Sequence, residues 1–315
     1  MRSTVAAALM ATVLFLGGVG VWVAAQSADA EPQVRYDRES RYYRIRVVDY
    51  EKEGRRCLHF SKSRGIQSSM FLDDPYRLDL RYSKSMIAAL ALHPAPKDVL
   101  LVGLGGASIP KFINKHWPDI RLDIVEIDPD VVRVCQEWFA FKGAPGLRVI
   151  VMDGRIYLKR NPKAYDVILL DAYAADRVPF HLTTSEFIAL AKSRLKPGGL
   201  VASNLWEHGV NRFYNAELKT FQATFPQTYL FKCGTSGNII VFGALNEQRV
   251  AKMDWAKRAK ALAEGRDLGL DLPRLVEAEY SVLTDRRIDE KPLTDDMAPV
   301  DTLRNEPPKH FDEGT

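Results

Sequence analysis

The sequence predicts an α/β protein: a seven-stranded, mostly parallel sheet ending in a hairpin, preceded by a small antiparallel β-sheet. Three observations carry this. After Pro96, short apolar runs alternate with amphipathic stretches. The runs are nearly continuous in apolar residues, which requires burial on both faces and so helices on each side of a parallel sheet. The last two runs are joined only by Gly234-Thr235-Ser236-Gly237, too short for a crossover, so that pair is antiparallel.

The elements follow in order. From Ser40 to Leu72, "YYRIRVVDY" alternates, "RRCLHFS" follows the turn Glu53-Gly54, and "IQSSMFL" follows Gly65. This is the small N-terminal β domain, residues 31–80. Tyr82–Leu92 has a helical pattern that stops before His93-Pro94. The strands are then "DVLLVGL", "RLDIVEID", "LRVIVMD", "YDVILLD", "GLVASNL", "QTYLFKC" and "NIIVFGA", with helices at Pro129–Phe139, Thr184–Leu195 and Phe213–Phe225. Seven strands closing on a hairpin match a Rossmann-like class I methyltransferase sheet, placing the catalytic domain at residues 81–245. Residues 246–315 form a C-terminal extension, a charged helix over about 246–264 and then a polar tail.

Bulk composition narrows the class. The 315 residues are 46% hydrophobic and 27% charged, ordinary for a globular chain large enough to bury a substantial core. A net charge of +4, dispersed along the chain, gives no basis for expecting nucleic acid. Cys57, Cys135 and Cys233 lie far apart without metal-like spacing, so they are read as small core residues, and no metal is expected.

The N-terminus is a separate object. Val5 to Ala25 is apolar except for Thr12, and Ala28 and Ala30 fit a small-x-small cleavage signal. The run is long for a signal core and suits a membrane span. Residues 1–30 are therefore expected to be a signal peptide or a membrane anchor, making the protein exported or membrane-attached, with the side of the membrane open.

Chemistry is expected at the carboxyl ends of the strands, where open α/β sheets bind ligands. Gly103, Gly105 and Gly106 lie between a strand and a helix, where small residues admit a ligand to the backbone. Ser108 breaks the dinucleotide fingerprint. Glu126 ends the next strand and can accept two ribose hydroxyls, while Asp128 before Pro129 reads as a helix N-cap. Asp153 suits an exocyclic amine of adenine or, alternatively, caps the following helix. Asp171 ends "VILLD" and is the catalytic candidate. A strand end on four successive strands with this chemistry points to a nucleoside-type ligand. Asp176 is either an amine anchor or a loop charge. Tyr82 either lines an acceptor pocket or packs. His181 is read as structural, before a capping box Thr183-x-x-Glu186. Asp295 and Asp296 either order a lid or sit exposed in a turn.

The ordered set "SRYYRIRV", "GIQSSMFL", "YSKSM", "LLVGLGG", "VEIDPDVV", "MDGRIYL", "YDVILLDAY", "VPFHLTTSEF" and "PLTDDMAPVDTL" resembles the spermidine synthase-like proteins, in a divergent bacterial branch, over about residues 40–303. The resemblance implies that Gln67, the Gly103 loop, Glu126, Asp153 and Gly154 hold an adenosyl sulfonium donor. It also implies that Asp171 is the catalytic acid/base and that the N-terminal sheet mediates a homodimer. Three departures stand out. Established members carry an Asp at the position of Gly106, a second Asp at that of Ala174, and Tyr-Gln where this chain has Tyr42-Tyr43.

The expected activity is aminopropyl transfer from decarboxylated S-adenosylmethionine to a polyamine such as putrescine. S-adenosylmethionine-dependent methyl transfer and a non-catalytic nucleoside-binding module are the alternatives. The donor would be a co-substrate rather than a permanently bound group.

Overall fold

The computed structural model describes residues 31–60, 65–173 and 178–297. Four strands, β1 (Gln33–Glu39), β2 (Arg44–Tyr50), β3 (Arg55–Phe60) and β4 (Ser68–Phe71), form an antiparallel sheet in sequential order. β1 escaped the sequence reading because its residues are charged and exposed rather than alternating. It is held by ion pairs instead: Arg44 donates to Asp37, and Arg35 and Arg56 converge on the buried Asp49.

After α1 (Arg81–Leu92) come β5 (Asp98–Val102), α2 (Ser108–His116), β6 (Arg121–Glu126), α3 (Pro129–Trp138), β7 (Leu147–Val151), α4 (Gly154–Arg160) and β8 (Tyr165–Leu170). Then follow α5 (Ser185–Ser193), β9 (Leu195–Trp206), α6 (Tyr214–Thr224), β10 (Gln227–Lys232), β11 (Asn238–Ala244), α7 (Lys252–Ala263), α8 (Leu272–Glu279) and β12 (Tyr280–Val282). The large sheet runs β12-β10-β11-β9-β8-β5-β6-β7.

This corrects the expected sheet in two respects. Among the described residues it has eight strands, and three of its seven pairings are antiparallel, those of β9 with β11, β11 with β10 and β10 with β12. The extra strand comes from the stretch read as a polar tail. At three residues β12 is too short to show periodicity, and packing places it: the Tyr280 ring lies against Tyr229 and Trp255.

The expectation of export or membrane attachment is also corrected. Among the described residues no helix is long and apolar enough to cross a membrane. The apolar run that prompted the expectation lies outside the described residues.

The central strands explain themselves physically. Along β5, Val99 and Leu101 join the core with α1, α2 and α3, whereas Leu100 and Val102 join the core with α4 and α5. Alternate side chains from Val99 to Val102 thus enter two cores, so all four positions must be apolar. Each fully buried side chain contributes roughly 1.5–3 kcal/mol. Trp255, whose indole N–H donates to Ala88 at 3.0 Å, ties α7 to α1.

The connections decide where the ligand edge lies. The chain leaves β5 for β6 on one side and returns to β8 on the other, so strand order reverses between β5 and β8. The carboxyl ends of β5, β6, β7 and β8 therefore open a crevice at that reversal.

Candidate active site

At the carboxyl edge a cavity of about 230 Å³ is lined by Gly103, Glu126, Asp153, Asp171, Asn204 and Tyr82, among others. Its floor is made possible by Gly103. The pairing of β5 with both neighbours continues past the strands, with Gly103 N–H on Val125 O of β6 and Asp171 N–H on Val102 O of β5, both 2.8 Å. Gly103 then turns with φ +99, and a Cβ there would lie 2.3 Å from the Asp171 carbonyl oxygen. Only glycine permits that crossing. Gly154 serves similarly on the next loop, since a Cβ would meet Val102 Cγ1 at 2.5 Å.

Glu126 leaves β6 into the cavity, and its carboxylate is built into the loops around it. Leu104 N–H donates to Oε2 and Asp128 N–H to Oε1, each at 2.9 Å. Burial nonetheless outweighs these donors and pushes Glu126 up to about 7. Asp128 caps α3 by accepting from Asp130 N–H, and its second oxygen takes the Ser40 hydroxyl at 2.5 Å.

Asp153 does two things at once. Its Oδ1 accepts from Ile156 N–H as the N-cap of α4, and its Oδ2 lies 2.9 Å from His181 Nε2. His181 lines the cavity, so its side chain belongs to the site rather than only to the fold. The expected capping box is displaced by one residue: Thr184 caps α5 through Phe187 N–H, Thr183 bonds back to Phe180 O, and Glu186 accepts from Asp295 N–H.

Asp171 keeps some surface toward the cavity but is otherwise enclosed by protein. That enclosure raises it to about 7, against hydrogen bonds from Asn204 and Tyr82. The Tyr82 hydroxyl sits between Asp171 and the Gln67 carbonyl, which is 3.4 Å away. The opposite edge of the sheet behaves otherwise. There Arg121 and Lys196 hydrogen-bond Asp98 and hold it far below the carboxylate range despite burial. Asp98, paired with cations, thus lies at one edge of the sheet, and the raised Glu126 and Asp171 lie at the other.

Residues 81–235 match the family described as Spermine/spermidine synthase domain. A polyamine aminopropyltransferase of Vibrio vulnificus (strain CMCP6) is 31% identical over 273 residues, covering 82% of this chain and 88% of that protein. The chain belongs to the spermine/spermidine synthase family. The crystal structure of a probable spermidine synthase from Corynebacterium glutamicum shares the fold at 22% identity, TM-score 0.62, over 73% of this chain and 87% of that one. The structure of human methyltransferase-like protein 13 in complex with SAH matches at 31% identity and TM-score 0.54, over 58% of this chain and 91% of that chain.

Against this spermine/spermidine synthase background the remaining candidates take their places. Gln67, Gly105, Gly154 and Tyr82 line the cavity. Gly106 is not among the lining residues but sits beneath Ser68 and Phe139, where a Cβ would meet Ser68 Cβ and Oγ at 2.8 Å. Asp176 and Ala174 lie outside the described residues. Among the described residues no group of three or more His, Cys, Asp or Glu is arranged to hold a metal ion.

Sequence reasoning missed Asn204, Asn238, Tyr173 and Trp206, all of which line the cavity. Asn204 had a usable signal: a lone amide near the carboxyl end of an apolar parallel strand. Asn238 had none, because it begins an antiparallel strand and reaches the edge only through pairing with β9.

Proposed function

We propose that the chain transfers an aminopropyl group from decarboxylated S-adenosylmethionine to the amine of a polyamine such as putrescine. The observation that carries this reading is Asp171: an enclosed carboxylate at the switch point, poised near neutrality, in one cavity with Glu126 and Asp153. Glu126 would accept the two ribose hydroxyls with lone pairs left free by its backbone donors, and Asp153 with His181 would flank the adenine. Gly103 and Gly105 let the sulfonium approach the backbone.

In the reaction, the amine lone pair attacks the carbon next to sulfur, the C–N bond forms, and the C–S electron pair returns to sulfur as a neutral thioether. The proton lost by nitrogen goes to Asp171. Because the sulfonium already carries its charge, alignment of amine and carbon supplies much of the rate, and Asp171 supplies proton removal. The 88% coverage of an aminopropyltransferase supports this class over the fold alone.

One observation favours methyl transfer from ordinary S-adenosylmethionine as a second reading. The space over Gly106 is filled by Ser68 and Phe139, so no side chain can project there to sense the donor's tail. The likeness to human methyltransferase-like protein 13 in complex with SAH is consistent with it. Incubation with each donor and an amine separates the two: methylthioadenosine as product supports aminopropyl transfer, and S-adenosylhomocysteine supports methyl transfer. The Asp171→Asn variant should lose about 10²–10⁴-fold in rate while remaining folded. Unchanged turnover would remove Asp171 from the chemistry.

A further inference from the structure

We propose that Asn204 and Asn238 are positioning residues for Asp171, a two-amide chain that holds its carboxylate so that an entering amine meets it as an acceptor. The inference rests on the reading of Asp171 as the group that takes the amine's proton.

The geometry is specific. Asn204 Nδ2 donates to Asp171 Oδ1 at 2.9 Å, and Asn238 Nδ2 donates to Asn204 Oδ1 at 3.1 Å. Both asparagines are nearly enclosed, with exposures of 3% and 8%. They come from β9 and β11, which pair antiparallel, so the chain crosses the sheet from its antiparallel half to the end of β8.

A primary amide presents two different faces. With Nδ2 toward Asp171, Asn204 supports the ionised carboxylate. With Oδ1 toward it, Asn204 would support only the protonated acid. By donating to Asn204 Oδ1, Asn238 selects the first arrangement. Asn204 is also pinned at its backbone, whose carbonyl accepts the Tyr173 hydroxyl at 2.9 Å.

The surroundings make this matter. Tyr82 from α1 is the other donor to Asp171, and Tyr173 stands beside it on the same segment. Glu126 and Asp153 occupy the neighbouring strand ends, and Arg81 and His181 line the same cavity. Enclosure works against the ionised form of Asp171, so the donors that oppose it decide how much carboxylate is available to an amine.

The test is a carbon-detected NMR titration of the Asp171 carboxyl in the full chain, assigned with Asp171→Asn, in wild type, Asn204→Leu and Asn238→Ser. In Asn204→Leu the midpoint should rise by about one pH unit, and in Asn238→Ser by a smaller amount in the same direction. The acid limb of kcat/KM should move with it, while Asn238→Gln should restore the wild-type midpoint. A midpoint unmoved in Asn204→Leu overturns the proposal. If that variant does not fold, an unmoved midpoint in Asn238→Ser overturns it equally. A midpoint that moves in a protein transferring nothing to any amine leaves the positioning chain standing and removes the reading of the reaction.

Discussion

Gly103 crosses the backbone of Asp171 so closely that a β-carbon on Gly103 would lie 2.3 Å from the Asp171 carbonyl oxygen. The glycine loop and the candidate catalytic residue are thus one mechanical unit. Whatever shifts one displaces the other.

Replacing Gly103 with Ala should therefore be far worse than the same change at a merely left-handed glycine. Gly54 has φ +61, and a β-carbon added there would meet nothing within 4 Å, so Gly54→Ala should cost only about 1 kcal/mol. Gly103→Ala adds a backbone clash and should cost at least about 3 kcal/mol, with loss of donor binding. Urea unfolding of both variants provides the comparison; equal costs would count against the close crossing.

Stability should depend on pH through enclosed carboxylates. Glu217, hydrogen-bonded by Asn211 at 2.6 Å, is pushed by burial from 4.5 to about 7. Between those values the native state binds more protons than the unfolded chain. Its contribution is thus fully present below about pH 4.5 and is lost as pH rises through about 7. Glu217→Gln should consequently be more stable than wild type at pH 8, by on the order of 2 kcal/mol, and the advantage should shrink at pH 5. Urea midpoints at the two pH values measure it.

Glu126 offers a binding signature of the opposite sign. Two ribose hydroxyls donating to its carboxylate would favour the ionised form and lower its value from about 7. Donor binding at pH 7 should release a fraction of a proton, seen as a buffer-dependent heat in titration calorimetry. Glu126→Gln should abolish that dependence and weaken the donor by about tenfold or more.

The C-terminal segment should act as a clasp on the cavity wall. Asp295 is bound by Arg155 and by the Thr184 hydroxyl at 2.7 Å, and Ser185 N–H donates to Leu293 O at 2.7 Å. Arg155 also donates to the His181 carbonyl at 3.1 Å. Asp295→Ala should speed hydrogen exchange over residues 180–186 and weaken donor binding several-fold. Unchanged exchange there would show that the wall holds itself.

Donor selection is open to a designed reversal. Gly106→Asp alone should destabilise the loop, because Ser68 fills the space. Adding Ser68→Gly relieves that contact, and the double variant should gain about tenfold, 1.4 kcal/mol, for decarboxylated over ordinary S-adenosylmethionine. No change in the ratio would place the donor's tail elsewhere.

Much of this protein was legible in its residues. The central parallel strands β5 and β8 announced themselves because each is buried on both faces and so nearly all apolar. The strand-end carboxylates Glu126, Asp153 and Asp171 stood out because a charge terminating such a run needs a reason. What pattern could not reveal was anything defined by contact across distance. β12 is too short for periodicity and exists because Tyr280 finds Tyr229 and Trp255. The dual use of Asp153, as helix cap and as partner of His181, depends on a 28-residue loop closure that no local spacing encodes. The amide chain from Asn238 through Asn204 to Asp171 depends on strand register, and register is settled by the whole sheet. Residue order alone put the carboxylates Glu126, Asp153 and Asp171 at the ends of apolar runs, since local burial selects residue type. Which of those groups meet was settled only by the assembled fold, since hydrogen-bond geometry is set once the strands are paired.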